Sequence, residues 1–124
     1  MRFGELLRRL LYFLSGRGPA EYKLLGVEGN EVRMTKSGGL IFGVWIRPYF
    51  KCVNVGIDVP GTDFIILIEG DGQQEAHGSV ELEGCDEATV WLAAQEFAGH
   101  RVTITLSDGW LRKKITLGAV RSDV

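Results

Sequence analysis

RVTITLSDGWLRKKITLG, residues 101–118, decides the architecture. Val102, Ile104 and Leu106 alternate with polar residues before Asp108-Gly109, and Leu111, Ile115 and Leu117 keep the same period of two after it, with Lys113 in the place between the first two. A period of two places successive side chains on opposite faces of a strand, and Asp-Gly between two such runs is among the strongest short-range hairpin signals. The expectation is an antiparallel hairpin of Arg101 to Leu106 and Leu111 to Leu117 around Ser107-Asp108-Gly109-Trp110.

The same pattern extends backward to Tyr22. Tyr22 to Val27 and Glu31 to Lys36 read as a hairpin around Glu28-Gly29-Asn30, and Leu40 to Ile46 follows the Ser37-Gly38-Gly39 turn and is closed by Pro48. Phe50 to Val59 carries Val53, Val55, Ile57 and Val59 on one face. Phe64 to Ile68 is a continuous apolar run, the signature of a central strand covered on both faces. Ala76 to Glu83 alternates again, with Val80 and Leu82 inward. The 17 glycines among 124 residues stand between these runs and supply the turns.

Residues 86–98 fit two readings. Asp86 suits an N-cap, Val90, Ala93, Ala94 and Phe97 share a helical face, and Gly99 suits a C-terminal stop, which favours a second short helix. The alternative is a strand over Thr89 to Leu92 followed by a loop. The whole is expected to be mainly β, with α+β as the alternative: an antiparallel sandwich or small barrel of about seven or eight strands over residues 20–120. The C-terminal hairpin and the Phe64 run resemble those of an immunoglobulin-like sandwich, without a signature that names a family.

Ahead of this domain stands MRFGELLRRLLYFLSGRG. At 100° per residue, Phe13, Leu6, Leu10, Phe3, Leu14, Leu7 and Leu11 fall on one arc of about 160°, and Arg8, Tyr12, Glu5, Arg9 and Arg2 fill the other side. Residues 1–17 therefore read as an amphipathic helix stopped at Gly16. About four turns of helix are marginal in water alone, so the arc needs a seat. Its own sheet is the first expectation, a partner the second and a lipid surface the third. Arg8 and Arg9 break the apolar run too early for a secretion signal or a membrane span, which makes a cytoplasmic protein the default.

Charge and motifs narrow the chemistry. With 14 Lys and Arg against 16 Asp and Glu, the net charge of −2 draws no polyanion, so nucleic acid is not an expected partner. Arg47 with Lys51 and Arg112 with Lys113 and Lys114 read as solvated strand ends. Cys52 and Cys85 lack the spacing of a zinc site or redox dithiol and read as free thiols, one disulfide between them being the alternative. His77 reads as a surface histidine, and Glu96 with His100 makes at most two ligands. Asp58, Asp63, Glu69 and Asp71 are explained by turn chemistry and lack the spacing of a calcium loop. No phosphate-binding glycine loop and no nucleophile elbow is present. Trp45, Tyr49, Phe50 and Trp110 are aromatics that core or edge packing accounts for, Trp110 being the one most expected at a surface.

The expectation is thus a non-catalytic binding or assembly module without a cofactor or metal, meeting a protein partner or another copy of itself. Phe3, Leu7, Leu10, Leu11, Leu14 and Trp110 are its candidate contact residues. A membrane-surface domain is one alternative. A small-ligand protein with a pocket between helix and sheet is another, its candidate groups being His77, Glu81, His100, Asp58 and Asp63.

Overall fold

A computed structural model describes residues 2–50, 52–69, 74–75, 78–83, 87–97 and 101–121. One helix, α1 (Phe3–Ser15), precedes the strands. They are β1 (Ala20–Leu25), β2 (Val27–Glu28), β3 (Glu31–Met34), β4 (Leu40–Pro48), β5 (Cys52–Asp58) and β6 (Phe64–Ile68), then β7 (Gln74–Glu75), β8 (Gly78–Glu83), β9 (Ala88–Ala94), β10 (Arg101–Ser107) and β11 (Arg112–Arg121). The protein is mostly β, as the alternating pattern requires.

Among the described residues the strands form one sheet in the order β7-β6-β9-β4-β3-β11-β10-β5-β8, with β1 also on β4 and β2 also on β3. The short strand β3 joins two larger groups. It meets β4 through a single partner pair, Met34 with Leu40, and runs parallel to β11 from Glu31 opposite Gly118 to Met34 opposite Arg121. The other pairings are antiparallel, so β3–β11 is the exception to the expected wholly antiparallel arrangement. The sheet curls on itself at this join. Phe42, Val44 and Ile46 of β4, Ile66 of β6 and Leu92 of β9 then share one core with Val53 and Val55 of β5, Ile104 and Leu106 of β10 and Leu117 of β11. Burying each of these side chains contributes roughly 1.5–3 kcal/mol, which is what holds the two groups face to face.

The hairpin expected around Asp108-Gly109 is present. Ile104 pairs with Ile115 and Val102 with Leu117. At its turn, Asp108 Oδ1 accepts hydrogen bonds from the backbone N–H of Trp110 at 2.9 Å and of Leu111 at 2.7 Å.

Two expectations are corrected. Residues 88–94 are a strand and not part of a helix over 86–98: β9 pairs with β4 on one side and β6 on the other. Val90, Leu92 and Ala94 point inward, so two flanking ladders override the local helical spacing. The Phe64 run, in turn, is not covered on both faces. Among the described residues it is flanked by β9 and by the two-residue β7, and Ile65 is 46% exposed on its outer face. Cys52 is a half-buried free thiol on β5. Cys85, His77, His100 and Asp71 lie outside the described residues.

Candidate functional site: the outward arc of α1

Helix α1 forms where the sequence placed it, but it sits the other way round. No residue of α1 is buried. Phe3, Leu6, Leu7, Leu10, Leu11, Phe13 and Leu14 are between 43% and 80% exposed, so the arc does not cover the chain's own sheet. Contact with the body is made chiefly by the polar side instead, through Arg9 and Tyr12, with Phe13 at the edge of the arc against Trp110.

The seat is assembled from three places in the chain. Pro19 O accepts the backbone N–H of Tyr49 at 2.9 Å, which fixes Tyr49 just beyond the end of β4 and beside the segment leaving α1. The Tyr12 ring stacks on Tyr49 with centroids 4.6 Å apart and 2° between planes, and meets the buried Phe50 edge-on at 5.9 Å. Such pairs add about 0.5–1.5 kcal/mol each beyond their buried area. The Arg9 guanidinium lies 4.9 Å over the Phe50 ring. It also stands 3.6 Å from Asp108 Oδ2 at the hairpin turn and 3.4 Å from Glu5 Oε1, one helical turn earlier. The Asp108 side chain is only 2% exposed. Arg17 lies over the Tyr12 ring at 5.8 Å, and Phe13 reaches Trp110 at 6.5 Å.

The exit from α1 is equally determined. Gly16 takes φ +72°, a left-handed value that suits glycine, while its N–H and that of Arg17 are donated to the carbonyls of Phe13 and Tyr12. This stops the helix and turns the chain into β1. The ion pair itself is imperfect. Among the described residues, Arg9 Nε and Asp108 Oδ2 are buried yet make no hydrogen bond. Two desolvated charges at 3.6 Å with no hydrogen bond between them stabilise little.

The seat has a pH signature. Burial first, then the neighbouring Tyr12 and Glu21 against an opposing effect of Arg17, raise the Tyr49 hydroxyl above its ordinary value. A raised value favours the neutral phenol in the folded protein, so its contribution is complete below the ordinary tyrosine range near pH 10 and is lost as pH rises through the raised value. Near-UV circular dichroism of the tyrosines should therefore lose its α1-dependent signal on the alkaline side of pH 10. A signal already lost at pH 8–9 would contradict this seat.

Five of the six candidate contact residues, Phe3, Leu7, Leu10, Leu11 and Leu14, share the exposed arc, and Trp110, 43% exposed, borders it through Phe13. Sequence reasoning missed the seat. The wheel places Arg9 and Tyr12 only on its polar side, and the available signal was an aromatic on the polar side of a helix in a chain that also offers Tyr49-Phe50.

The groups considered for ligand chemistry do not converge. Among the described residues, no three His, Cys, Asp or Glu side chains gather as a metal site requires. Asp63 lines a shallow hollow with Glu96, Gly61, Thr62 and Gln95, while Glu69 accepts the Trp91 indole N–H at 2.9 Å. Glu81 is exposed on β8, and Asp58 ends β5. A second hollow, lined by Arg8, Leu11, Tyr12, Ser15 and Arg17, is a flank of the arc itself. No helix among the described residues is long and apolar enough to cross a membrane.

No protein-family model and no curated protein matches the chain. Among solved structures, it is similar to one described as "AvmM Catalyzes Macrocyclization in Alchivemycin A Biosynthesis", with TM-score 0.46 and 9% identity over 86% of this chain and 93% of that one. A conjugate transposon protein from Bacteroides vulgatus has TM-score 0.46 and 10% identity over 81% and 84% of the two chains. The ASH / PapD-like domain of human CEP192 has TM-score 0.39 and 6% identity over 85% and 89%. These are likenesses between β domains.

Proposed function

We propose that this protein is a non-catalytic assembly module whose α1 presents a ready-made apolar surface to another protein chain, in the first place another copy of itself. The observation that supports this is the inverted seating of α1. A helix added to complete a core turns its leucines inward, whereas here Arg9 and Tyr12 face the body and seven Leu and Phe side chains face out. Their exposed area is on the order of 700 Å², above the few hundred Å² that monomers usually leave contiguous and near the share one partner gives to a standard interface.

One observation favours a lipid surface as the second reading. Arg2 and Arg8 border the arc on the helical wheel and Arg17 follows it, as in helices that lie in the headgroup region. The two readings separate in one experiment. Light scattering over ~1–100 µM should show mass rising above that of one chain. Co-sedimentation with vesicles of anionic phospholipid at low salt should leave the protein in the supernatant. A single-chain mass throughout, with the protein pelleting with the vesicles, would replace the protein partner by a membrane.

A further inference from the structure

A second apolar surface lies on the outer side of the β6-β9-β4-β1 group, on residues whose side chains point away from the core. The register builds it in rows. Ile65, Ala93 and Ile41 stand side by side across β6, β9 and β4, and the next row is Leu67, Trp91, Gly43 and Leu25. Ile41 is 60% exposed and Ile65 46%. Between them the floor is low. Ala93 is small, and the Trp91 ring lies flat on Gly43, where an added Cβ would come within 2.7 Å of the indole. The Trp91 N–H donates to Glu69, which pins the ring in that position. A sheet group that is apolar on both faces needs a further layer. Four strands span about 14 Å, enough for one helix of about 10–12 Å diameter.

The charges around this floor say which helix. Asp63 and Glu69 bracket Ile65 and Leu67 along β6, and Glu96 follows β9 beside Asp63. At the far side, Lys23 lies over the Trp45 ring, with Glu21 opposite Arg47 in the strand register next to it, so that edge is mixed. The exposed arc of α1 has the opposite border: Arg2 and Arg8 flank it, while Glu5 and Arg17 are turned toward Arg9 and Tyr12 on the seated side. Two copies of the arc placed against each other would bring like charges together, whereas the arc on this floor brings arginines to carboxylates. Within one molecule the two surfaces cannot meet while α1 is seated. Tyr49, under α1, lies eight residues beyond Ile41, about 25 Å at the rise of a strand, and the arc faces away from the body.

We propose that the Ile41/Ile65 face of the β6-β9-β4-β1 group receives α1 of a second copy of this chain, so that copies join head to tail. This rests on the reading of α1 as an association surface and adds its seat. Each copy carries one arc and one floor, which makes the contact heterologous and the assembly a ring or an open chain.

Mixing two variants tests it. Leu7→Gln/Leu11→Gln removes the arc, and Ile65→Lys blocks the floor. Ile41→Thr/Ile65→Thr blocks the floor with β-branched residues that keep strand propensity, in case the lysine disturbs the fold, and far-UV circular dichroism reports folding of each. Sedimentation velocity should show the wild type growing beyond two chains with concentration, and the arc variant and both floor variants staying at one chain when alone. An equimolar mixture of the arc variant with a floor variant should give a species of two chains and nothing larger, because one intact arc meets one intact floor. Floor variants that assemble like the wild type while the arc variant does not would overturn this seat and leave the proposed role of α1 standing. An arc variant that assembles like the wild type would overturn both. Two single-chain variants that do not combine would overturn head-to-tail contact in favour of a symmetric one, and a wild type of one chain at every concentration would overturn the assembly altogether.

Discussion

Asp108→Ala should destabilise the protein by about 2–4 kcal/mol, a fall of about 10 °C in melting temperature for a domain of this size. Three interactions end at this one carboxylate. Oδ1 accepts the N–H of Trp110 and of Leu111, closing the turn of the β10–β11 hairpin. Leu111 itself is buried, so its N–H has little access to replacement water. Oδ2 faces Arg9, whose side chain is 14% exposed, and removing it leaves that guanidinium to Glu5 and the Phe50 ring. Asp108→Asn separates the two roles. It keeps an oxygen for the turn and loses only the charge facing Arg9, so it should cost about a third as much, because a long and imperfectly bonded pair stabilises little. Urea denaturation of the two variants measures both. Equal losses for Ala and Asn would mean that the ion pair, and not the turn, carries the stability.

Leu7→Gln/Leu11→Gln should act in the opposite way, leaving the fold intact and weakening association. The two leucines are 47% and 58% exposed and touch no core, and glutamine is nearly as good a helix former as leucine, so unfolding of the isolated chain should shift by less than about 0.5 kcal/mol. At an interface the same side chains would lose their remaining exposure. The transfer involved is about 1–1.5 kcal/mol each, which corresponds to an association constant weaker by on the order of 50-fold. Sedimentation equilibrium reads that change directly. A variant with unchanged association would show that the arc is not the contact surface, and one that melts well below the wild type would show that the arc is packed after all.

Periodicity carried the strand reading because burial on one face and exposure on the other repeats down β5, β10 and β11, and no distant residue is needed to see it. It failed where the deciding partners are remote. Val90, Trp91 and Leu92 carry the same local signal for helix and strand, and what makes them a strand is β4 some fifty residues earlier together with β6. Ile65 looked like core because its neighbours in sequence are core; only the sheet order shows that, among the described residues, β6 has the two-residue β7 on one side and β9 on the other. For α1, the wheel separated the two sides correctly and the hydrophobic effect suggested the wrong one to bury. Tyr12, with Tyr49-Phe50 and Asp108, forms a seat of aromatic stacking and one ion pair, an arrangement that apolar patterning does not score. Which residues make up the arc was therefore legible and the reason for its exposure was not.

Whether α1 holds its leucines outward can be measured with a soluble paramagnetic agent and methyl-resolved NMR on the floor-blocked Ile65→Lys protein, which should remain at one chain. The methyls of Leu7, Leu11 and Leu14 should relax strongly, those of Leu106 and Leu117 should be protected, and Tyr12 ring protons should show contacts to the Tyr49 ring. Protection of the α1 methyls to the level of Leu106, with no Tyr12 to Tyr49 contact, would show the arc folded against its own body and contradict the outward seating on which the assembly role depends.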